Sequence, residues 1–392
     1  MRSFDRVYAK IHLDYIEENM EAMRNNLTPG TKMIGVVKTD GYGHGAVAVA
    51  KTIDRFVEGF AVAAPEEGYQ LRKHGIRKGI LVLGVTPPGQ YERMIREEIR
   101  PAVFTMEQAR GLSQKAEDLG KEAKIHIAVD TGMSRIGLTP TEDSADLVKR
   151  ISDLPGIRIE GMFTHFARAD EEDKRPAEKQ LEKFLNFDSM LKARGVQIPV
   201  RHCSNSAGIV DLKKANLDAV RAGITVYGLY PSDEVEKARV PLKPAMELKS
   251  FVTYVKEIPA GTEVSYGGTF RSEAPMKIAT VSVGYGDGYP RNLSGKGYVL
   301  VKGTRVPILG RVCMDQLMID VTKLPDVCVG TEVTLLGTDG DETITMEELA
   351  AVSGGFHYEI PCVIGKRVPR VYVSGDRVVG TMTYEDGEYE GF

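Results

Sequence analysis

The sequence predicts a TIM-like (β/α)8 barrel in the N-terminal part of the chain, followed by a domain composed mostly of β-strands. Over about the first 230 residues, short apolar runs alternate with longer amphipathic segments, a pattern typical of alternating strands and helices. Beyond a charged segment near residue 235, the apolar residues instead recur at every second position. A chain of 392 residues also exceeds the usual size of a single hydrophobic core, so we expect two domains.

The barrel prediction rests on the number and spacing of the apolar runs. The runs lie at Met33–Val37, Phe60–Ala63, Gly79–Leu83, Pro101–Phe104, Lys124–Val129, Ile157–Thr164, Ile198–Cys203 and Ala219–Val226. The segments between them, such as EEGYQLRKHG, carry apolar residues at helical spacing and often end at glycine. A doubly wound open sheet is the competing arrangement. We favour the barrel because eight strand–helix units follow one another without a long interruption.

The second domain is predicted to begin after the segment PSDEVEKARVPLKP, whose charges and prolines are typical of a linker. We therefore place a barrel domain at residues 1–236 and a β domain at residues 237–379. Segments such as MELKSFVTYVKEI alternate with a period of two and are separated by Gly-rich turns. TMEELAAVSG is predicted to be a short helix with Thr345 as its N-cap. Residues 380–392 form an acidic tail that we expect to be loose.

Composition and charge exclude several classes of function. Hydrophobic residues make up 42% of the chain and charged residues 27%, which is ordinary for a globular protein. The formal net charge is −4 and no basic run stands out, so neither a nucleic-acid nor a membrane partner is expected. The cysteines, Cys203, Cys313, Cys328 and Cys362, form no CxxC pair, so no metal site is expected. The N-terminus lacks the apolar core of a signal peptide, and we expect a cytoplasmic protein.

A lysine stands at the end of the first predicted strand, in the segment MIGVVKTDGYGHGA. The C-terminal ends of barrel strands form the active-site face, so Lys38 would point into its mouth. Desolvation there lowers the pKa of a lysine and frees its amine to form a Schiff base. Taken alone, Lys38 is more simply explained as a surface residue, and the glycine-rich turn after it does not match the dinucleotide-binding pattern.

Four other polar residues fall near the ends of later predicted strands. Arg135 follows the fifth strand, His165 ends the sixth, Ser206 follows the seventh and Arg221 lies in the eighth. In a parallel barrel, all four would lie on the same face as Lys38. That shared face makes them candidates for one active site.

Each candidate also has a structural interpretation. His165 is equally well explained as a hydrogen-bonded core histidine, and Ser206 as the start of a turn. An unpaired guanidinium in an apolar strand is costly, so Arg221 is expected to have a paired or functional role. We expect His202 and His44 to be structural or surface residues.

A set of short motifs runs through both predicted domains. VVKTDGYGHGA is followed by FTHFARAD, NSAG, VRAGITVYGLYPS, VSYGGTF, VGYGDGYPR, GRVCMDQLMID and HYEIPC. In content and order these motifs resemble the alanine racemase family, over nearly the whole chain to about Tyr372. The resemblance implies a barrel plus a β domain, and pyridoxal 5'-phosphate (PLP) as the cofactor. It also implies a head-to-tail homodimer in which the β domain of the partner completes each active site.

The resemblance further implies which residues hold the cofactor. Lys38 would bind it covalently through a Schiff base. Its phosphate would be held by Tyr42, Ser206, Tyr358 and the backbone of Gly223 and Ile224. Its pyridine nitrogen would face Arg221, and its phenolic oxygen would lie beside Arg135.

The implied reaction interconverts L- and D-alanine with two bases and supplies D-alanine for peptidoglycan. Lys38 would serve one face of the substrate α-carbon, and Tyr266 of the partner subunit would serve the other. Lysine and tyrosine ordinarily have pKa values of about 10.4 and about 10, so their surroundings must favour the basic forms. For the tyrosine, we predict a hydrogen-bonded link through His165 to Arg221, whose positive charge favours the phenolate.

Other residues would shape the substrate pocket. Arg135 and the backbone N–H of Met314 would bind the substrate carboxylate, and Tyr285 would narrow the pocket mouth. The access corridor would be lined by Asp170, Arg291 and Arg311. One position departs from the family, because Ala128 stands where several relatives carry a lysine, in some cases carbamylated, that supports the arginine. Another group, an anion or ordered water would have to position Arg135.

Three other functions are weighed against this one. A PLP-dependent decarboxylase on the same two domains would need an EPGR-type segment, which the sequence lacks. A racemase for serine or for a broader set of amino acids would share all the motifs above. A non-catalytic PLP carrier would lack the β domain that contains Tyr266. We therefore expect an isomerase of a small amino acid, with alanine as the favoured substrate.

Overall fold

The computed structural model describes residues 6–383, which divide into two compact units. The barrel unit comprises Tyr15–Gly41 and Ala46–Pro244. The sheet unit comprises the residues up to Asp14, the short piece Tyr42–Gly45 and the residues from Ala245 onward.

The chain alternates strands and helices in the barrel unit and is mainly β in the sheet unit. The strands, numbered in chain order, are β1 (Val7–His12), β2 (Lys32–Val36), β3 (Gly59–Val62), β4 (Gly79–Val82), β5 (Ile99–Val103), β6 (Ala123–Ala128), β7 (Ile157–Phe163), β8 (Val200–His202), β9 (Ala219–Ala222), β10 (Met246–Ile258), β11 (Glu263–Val264), β12 (Phe270–Arg271), β13 (Met276–Val281), β14 (Tyr298–Val301), β15 (Thr304–Leu309), β16 (Leu317–Asp320), β17 (Glu332–Asp339), β18 (Glu342–Ile344), β19 (Arg370–Ser374) and β20 (Arg377–Met382). The α-helices are Leu13–Asn26, Ala46–Ile53, Pro65–Lys73, Tyr91–Arg96, Met106–Leu119, Glu142–Ser152, Arg175–Ala193, Ser206–Asp211, Met346–Ser353 and Glu359–Cys362. Among residues 6–383, no helix is both long enough and apolar enough to cross a bilayer.

The barrel unit is a closed barrel in which β2 to β9 pair in chain order, and β9 pairs with β2. All of these pairings are parallel. Each predicted apolar run overlaps one of the strands, so the barrel prediction is confirmed and the open-sheet alternative is wrong. Parallel pairing brings the C-terminal ends of all eight strands to one face of the barrel.

Local sequence signals explain where the outer helices begin and end. The helix Met106–Leu119 starts at Thr105, whose side chain accepts a hydrogen bond from the backbone N–H of Gln108. It ends at Gly120, which adopts a left-handed φ of 59°. One stripe of this helix is buried against the barrel, including Ala109, Leu112 and Ala116.

The sheet unit contains a ten-stranded sheet in the order β18-β17-β14-β15-β16-β13-β10-β1-β19-β20. Within it, β1 pairs antiparallel with β10 and parallel with β19. The strand Val7–His12 therefore belongs to the sheet, whereas the sequence analysis placed it in a barrel domain of residues 1–236. Val7, Ala9 and Ile11 alternate along β1 and form its buried face. This alternation does not determine which strands pair with β1.

The C-terminal part of this unit also contains two features considered in the sequence analysis. The helix Met346–Ser353 begins after Thr345, whose side chain accepts from the N–H of Glu348 at 3.1 Å, as predicted. Strand β20 extends to Met382, so the segment expected to be a loose tail, residues 380–392, begins inside a paired strand. Residues 384–392 lie outside the described residues.

A cluster of charged side chains ties β1 to β10. Glu247 accepts hydrogen bonds from His12 Nε2 at 2.7 Å and pairs with Lys249 Nζ at 2.8 Å. Lys249 is itself buried and also donates to Thr334 Oγ1 at 2.8 Å. Burial alone would raise the pKa of Glu247, but the hydrogen bonds from His12 and Lys249 outweigh it and lower the pKa to about 2.

This cluster predicts how stability depends on pH. Because the folded-state pKa of Glu247 lies below its ordinary value of 4.5, its contribution is fully present above that pH and disappears as the pH falls through about 2. We expect Glu247→Gln to lower the free energy of unfolding by about 2 kcal/mol at pH 7. Urea denaturation at pH 7 and pH 3 checks this. If the wild type and Glu247→Gln differed in free energy of unfolding by the same amount at both pH values, the assignment would be contradicted.

Candidate active site

The residues predicted from the barrel strands lie at the C-terminal ends of those strands. Lys38 follows β2, and Arg135 lies in the loop after β6. His165 comes two residues after β7, Ser206 begins the helix after β8, and Arg221 lies in β9. The parallel barrel therefore places all five on one face, as the sequence analysis predicted.

The turn that follows β2 has an unusual backbone. Thr39, Asp40 and Gly41 have φ values of 55°, 50° and 61°, all in the left-handed region. For residues other than glycine, this conformation costs about 1–3 kcal/mol each, and such strain is concentrated at functional sites. The carboxylate of Asp40 accepts the N–H of Ala46 at 2.8 Å, which closes the turn. The turn thus fixes the backbone of Lys38 at the barrel end.

Arg221 is 2% exposed and is surrounded by hydrogen-bond acceptors. Its Nη1 donates to His202 Nδ1 at 2.8 Å. Its Nη2 donates to the carbonyl oxygens of Thr164 at 2.7 Å and Cys203 at 3.0 Å. Burial lowers the pKa of Arg221 to about 10, so the guanidinium remains a cation at neutral pH. No carboxylate of residues 6–383 lies within ion-pair distance of Arg221. Its positive charge is therefore not neutralised by an ion pair and can act on the other groups of the site.

His165 lies next to Arg221. Nη2 of Arg221 lies 3.4 Å from His165 Nδ1. A guanidinium can only donate, so Nδ1 is the acceptor and the proton of the neutral ring is on Nε2. Burial and then the charge of Arg221 lower the pKa of His165 to about 3, which keeps the ring neutral. The side-chain amide of Gln180 donates to the His165 carbonyl at 3.0 Å and holds its backbone.

Two buried histidines behind Arg221 were not assigned to the site from the sequence. His202 is fully buried and accepts from Arg221, and its Nε2 lies 2.9 Å from His126 Nδ1. Burial lowers the pKa of His202 well below its ordinary value and that of His126 to about 4. Both rings are therefore neutral. The sequence analysis expected His202 to be a structural or surface residue, and no local pattern signalled its contact with Arg221.

A group of hydrogen-bonding atoms surrounds the hydroxyl of Ser206. Ser206 Oγ accepts the backbone N–H of Gly223 at 3.1 Å and the hydroxyl of Thr225 at 2.9 Å. Gly223 is followed by a 3-10 helix that begins at Ile224, whose first N–H groups have no partner within their own turn. Asn205 caps the helix Ser206–Asp211 by accepting the N–H of Gly208 at 3.1 Å. The Ser206 hydroxyl and the Ile224 N–H are the groups here that suit an anion such as a phosphate.

Arg135 is exposed, and its guanidinium makes no hydrogen bond or ion pair within the described part of the chain. Its loop is braced by Asp130, whose carboxylate accepts the N–H groups of Gly132 at 2.9 Å and Ser134 at 3.0 Å. Ala128, whose short side chain was not expected to support Arg135, is buried in an apolar cluster with Ala102 and Phe163. Among the described residues, neither the cluster nor the loop supplies a side-chain partner for Arg135.

In the sheet unit, the segments of Tyr42 and Tyr358 are joined through their backbones. Gly43 has φ +78°, and a β-carbon there would lie 1.8 Å from the carbonyl oxygen of Pro361. The buried guanidinium of Arg370 donates from Nε to the Gly43 carbonyl at 3.0 Å. Its other N–H groups bind three carbonyl oxygens between residues 364 and 368. Arg370 therefore ties the residue after Tyr42 to the loop that follows the helix Glu359–Cys362, a contact for which the sequence held no signal.

Tyr266 lies at the tip of the hairpin formed by β11 and β12. Val264 and Phe270 on its two strands pack against the same apolar cluster. Ser265, directly before Tyr266, has φ 69°, and its hydroxyl donates to the carbonyl of Arg311 at 2.6 Å. The side chain of Tyr266 is 69% exposed. The hairpin thus presents a phenol on the surface of the sheet unit from a firmly held backbone.

Tyr285 and Met314 lie on neighbouring turns of the same unit. The N–H of Tyr285 donates to the Cys313 carbonyl at 3.1 Å, and that of Gly286 donates to the Met314 carbonyl at 2.8 Å. Both side chains are exposed, Tyr285 at 41% and Met314 at 53%. The structure therefore brings Tyr285, predicted to narrow the pocket mouth, next to Met314, predicted to bind the substrate carboxylate through its N–H.

The remaining site predictions concern the access corridor and metals. Arg291 and Arg311 are exposed on the sheet unit, and Asp170 lies half-buried in the barrel unit, where its carbonyl accepts the Ser232 hydroxyl at 2.6 Å. Within residues 6–383, no group of three or more His, Cys, Asp or Glu side chains is arranged to hold a metal ion.

Comparison with known proteins finds the same family over both units. The family profile of the alanine racemase N-terminal domain matches residues 11–231, and that of the C-terminal domain matches residues 245–372. An alanine racemase of Clostridium novyi (strain NT) is 45% identical over 380 residues, which cover 96% of this chain and 98% of the relative.

Solved structures agree with these matches. The alanine racemase of Clostridium difficile 630 is 40% identical with a TM-score of 0.94, covering 98% of this chain and 100% of that chain. The alanine racemase of Bacillus anthracis, solved with bound L-Ala-P, is 37% identical with a TM-score of 0.92, covering 98% and 99%.

Proposed function

The chain belongs to the alanine racemase family, and we propose from this premise that it interconverts L- and D-alanine with pyridoxal 5'-phosphate as its cofactor. As a member of that family it is an isomerase. The observation that carries the proposal is the pair formed by the buried Arg221 and the partly buried His165 at the barrel mouth, on the same face as Lys38. A cation, a neutral histidine and an amine on one face are the groups that this chemistry requires.

The barrel residues fit the phosphate of the cofactor. The phosphate is proposed to bind at the hydroxyl of Ser206 and the backbone of Gly223 and Ile224, where the Gly223 N–H holds Ser206 Oγ in place and the Ile224 N–H has no partner within its own turn. Tyr42 and Tyr358 are proposed to contribute phenolic hydroxyls, from segments whose backbones meet where Gly43 lies against the Pro361 carbonyl.

The other end of the cofactor would meet three nitrogen-bearing side chains. Lys38 would supply the amine that holds the aldehyde carbon covalently. Arg221 would donate to the pyridine nitrogen, which accepts a hydrogen bond only while it is unprotonated. Arg135, which has no partner among residues 6–383, would lie beside the phenolic oxygen and near the substrate carboxylate.

Racemisation removes a proton from one face of the α-carbon and delivers another to the opposite face. Pyridoxal phosphate, when bound, would supply a sink for the electron pair that the departing proton leaves behind. The amine of Lys38 would move the proton on one face, and the phenolic oxygen of Tyr266 of the partner subunit would move it on the other. Because His165 Nδ1 accepts from Arg221, its Nε2–H would donate to that oxygen and favour the phenolate.

The substrate would be oriented through its carboxylate. The guanidinium of Arg135 and the backbone N–H of Met314 of the partner subunit are the proposed donors. The ring of Tyr285 of the partner subunit would limit the space beside the α-carbon, which favours a methyl side chain.

The proposed active assembly is a homodimer in which each site takes residues from both copies. Large side chains predicted to act in the site are exposed in the single chain, with Tyr266 at 69% and Met314 at 53%. Covering such side chains with a second copy would bury apolar surface, which supports the proposal. Supply of D-alanine to peptidoglycan and a cytoplasmic location belong to the same proposal.

The substrate is tested directly by chiral chromatography. The purified protein, loaded with PLP, is incubated separately with L-alanine, L-serine, L-lysine and L-ornithine. We expect rapid formation of D-alanine and little D-isomer from the other three. A D-serine or D-lysine signal of similar size would overturn the choice of alanine, and conversion of any of them to an amine would identify a decarboxylase.

Arg221 is expected to control which reaction occurs. A cation facing the pyridine nitrogen disfavours its protonation and makes the ring a weaker electron sink, which limits side reactions. We predict that Arg221→Glu slows racemisation by at least about a hundredfold and raises the formation of pyruvate from alanine by transamination. The two products are followed by chiral chromatography and by a lactate dehydrogenase assay.

Arg221→Lys is the matched control for charge. It keeps a cation at the same place with fewer donors, so we expect slower racemisation without a rise in pyruvate. If Arg221→Glu raises pyruvate no more than Arg221→Lys does, the charge of Arg221 does not control the side reaction.

A further inference from the structure

Two turns of the sheet unit are locked together by their backbones. The turn from Gly284 to Gly288 carries Tyr285, and the turn from residue 313 to 315 carries Met314. A β-carbon at Gly284 would lie 2.2 Å from the carbonyl oxygen of Cys313, and one at Gly286 would lie 2.6 Å from Nη2 of Arg367. The two turns are therefore in direct contact, and the N–H groups of Tyr285 and Gly286 donate to the carbonyl oxygens of Cys313 and Met314 across it.

Asp287 is the buried centre of this contact, with a side chain that is 1% exposed. Its carboxylate accepts from Nη1 and Nη2 of Arg6 at 3.0 and 2.7 Å. It also accepts from Nε of Arg367 at 2.8 Å and from the backbone N–H of Gly284 at 3.0 Å. A buried carboxylate is stable only with such complete pairing, so Asp287 holds both arginines and its own turn in place.

Arg367 extends this pairing to the second turn. While its Nε binds Asp287, its Nη2 donates to the carboxylate of Asp315 at 2.6 Å and lies 3.5 Å from the carbonyl oxygen of Met314. The planar guanidinium therefore bridges the two turns with a fixed spacing, which a flexible ammonium group would not do. The reaction outlined above assigns no role to Asp287, Arg367 or Arg6.

We propose that Asp287 and Arg367 are positioning residues that hold the turns of Tyr285 and Met314 at the spacing that restricts the substrate pocket to a small side chain. The inference rests on the proposed function, since the pocket roles of Tyr285 and Met314 belong to it. Loss of the Arg367 bridge would free the Met314 turn while Arg6 continues to pair with Asp287. The N–H that binds the carboxylate would then be misplaced, and the pocket would widen.

The test compares Arg367→Met with the wild type on L-alanine and on L-2-aminobutyrate, which carries one more methylene. One methylene in a pocket is worth about 10- to 200-fold in kcat/KM, and we expect the preference for alanine to fall by about tenfold. KM for alanine should rise more than kcat falls, because the change affects substrate binding rather than the proton-transfer groups. An unchanged preference would overturn the inference.

Arg305→Met is the matched control. Arg305 also bridges two carboxylates of the sheet unit, those of Glu342 and Glu348, and its hydrogen bonds go to residues 342–348 rather than to either turn. We expect Arg305→Met to keep the wild-type preference for L-alanine over L-2-aminobutyrate. An equal loss of preference in both variants would mean that general destabilisation is the cause, and it would refute the positioning role.

A second variant keeps the inference testable if Arg367→Met does not fold. Asp315 is exposed, and Asp315→Asn removes only the outer end of the bridge. We expect it to reduce the preference for alanine in the same direction by a smaller factor, and no reduction would overturn the inference. Failure of the wild type to racemise alanine would refute the proposed function instead, so the two failures are distinguishable.

Discussion

Replacing Lys38 with alanine is expected to lower kcat/KM for racemisation by at least about a thousandfold, because the variant loses both the covalent hold on the cofactor and one of the two bases. Lys38 is the side chain that the left-handed turn Thr39–Gly41 fixes at the barrel mouth. The rate is measured by chiral chromatography in both directions. Cofactor attachment is followed separately, by borohydride reduction and peptide mass spectrometry.

Lys32→Ala is the control for this substitution. Lys32 lies at the opposite end of the same strand, β2, and is exposed. We expect it to retain the wild-type rate and the reducible link at Lys38. Racemisation by Lys38→Ala at a rate close to that of the wild type, or attachment of the cofactor to a different lysine, would refute the assignment.

Tyr266→Phe is expected to slow racemisation by about 10²- to 10⁴-fold in both directions, the range for loss of a general acid–base group. Phenylalanine keeps the ring and the exposed position at the hairpin tip, but it removes the oxygen that carries the proton. Lys38 would still exchange the α-proton on its own face. In D2O, one enantiomer of alanine should therefore take up deuterium without inversion, which NMR and chiral chromatography detect together.

Tyr298→Phe is the control for the loss of a phenol. Tyr298 is another exposed tyrosine of the sheet unit, and we expect no effect on rate or on deuterium uptake. Equal uptake of deuterium into both enantiomers by Tyr266→Phe would show that a different group serves the second face.

Much of the fold could be predicted because its signals are local. Barrel strands such as β3 and β4 are buried along nearly their whole length, so they are apolar runs, and the helices between strands begin at caps such as Thr105. The position of Lys38 follows from the same pattern, because a residue at the end of a parallel strand lies on the active-site face.

The features that the sequence analysis missed depend on contacts between distant residues. Buried and exposed residues alternate along β1, a pattern that fits many positions in a sheet. Only its pairing with β10 and β19 assigns it to the sheet unit. His202 has no local feature that distinguishes it from a core histidine, and its contact with Arg221 comes from the neighbouring strand. Asp287 is a single acidic residue in a glycine-rich segment. Its partner Arg6 lies 281 residues earlier in the chain, so no local pattern indicates that the two are paired.

We propose that each active site combines Lys38 of one copy with Tyr266 of the other. This proposal is tested most directly by unfolding and refolding Lys38→Ala and Tyr266→Phe chains together in equal amounts and then measuring D-alanine formation. Half of the resulting dimers are hybrids, and each hybrid has one site with both bases, so we expect about a quarter of the wild-type activity. Activity no higher than that of the two variants refolded separately would contradict it.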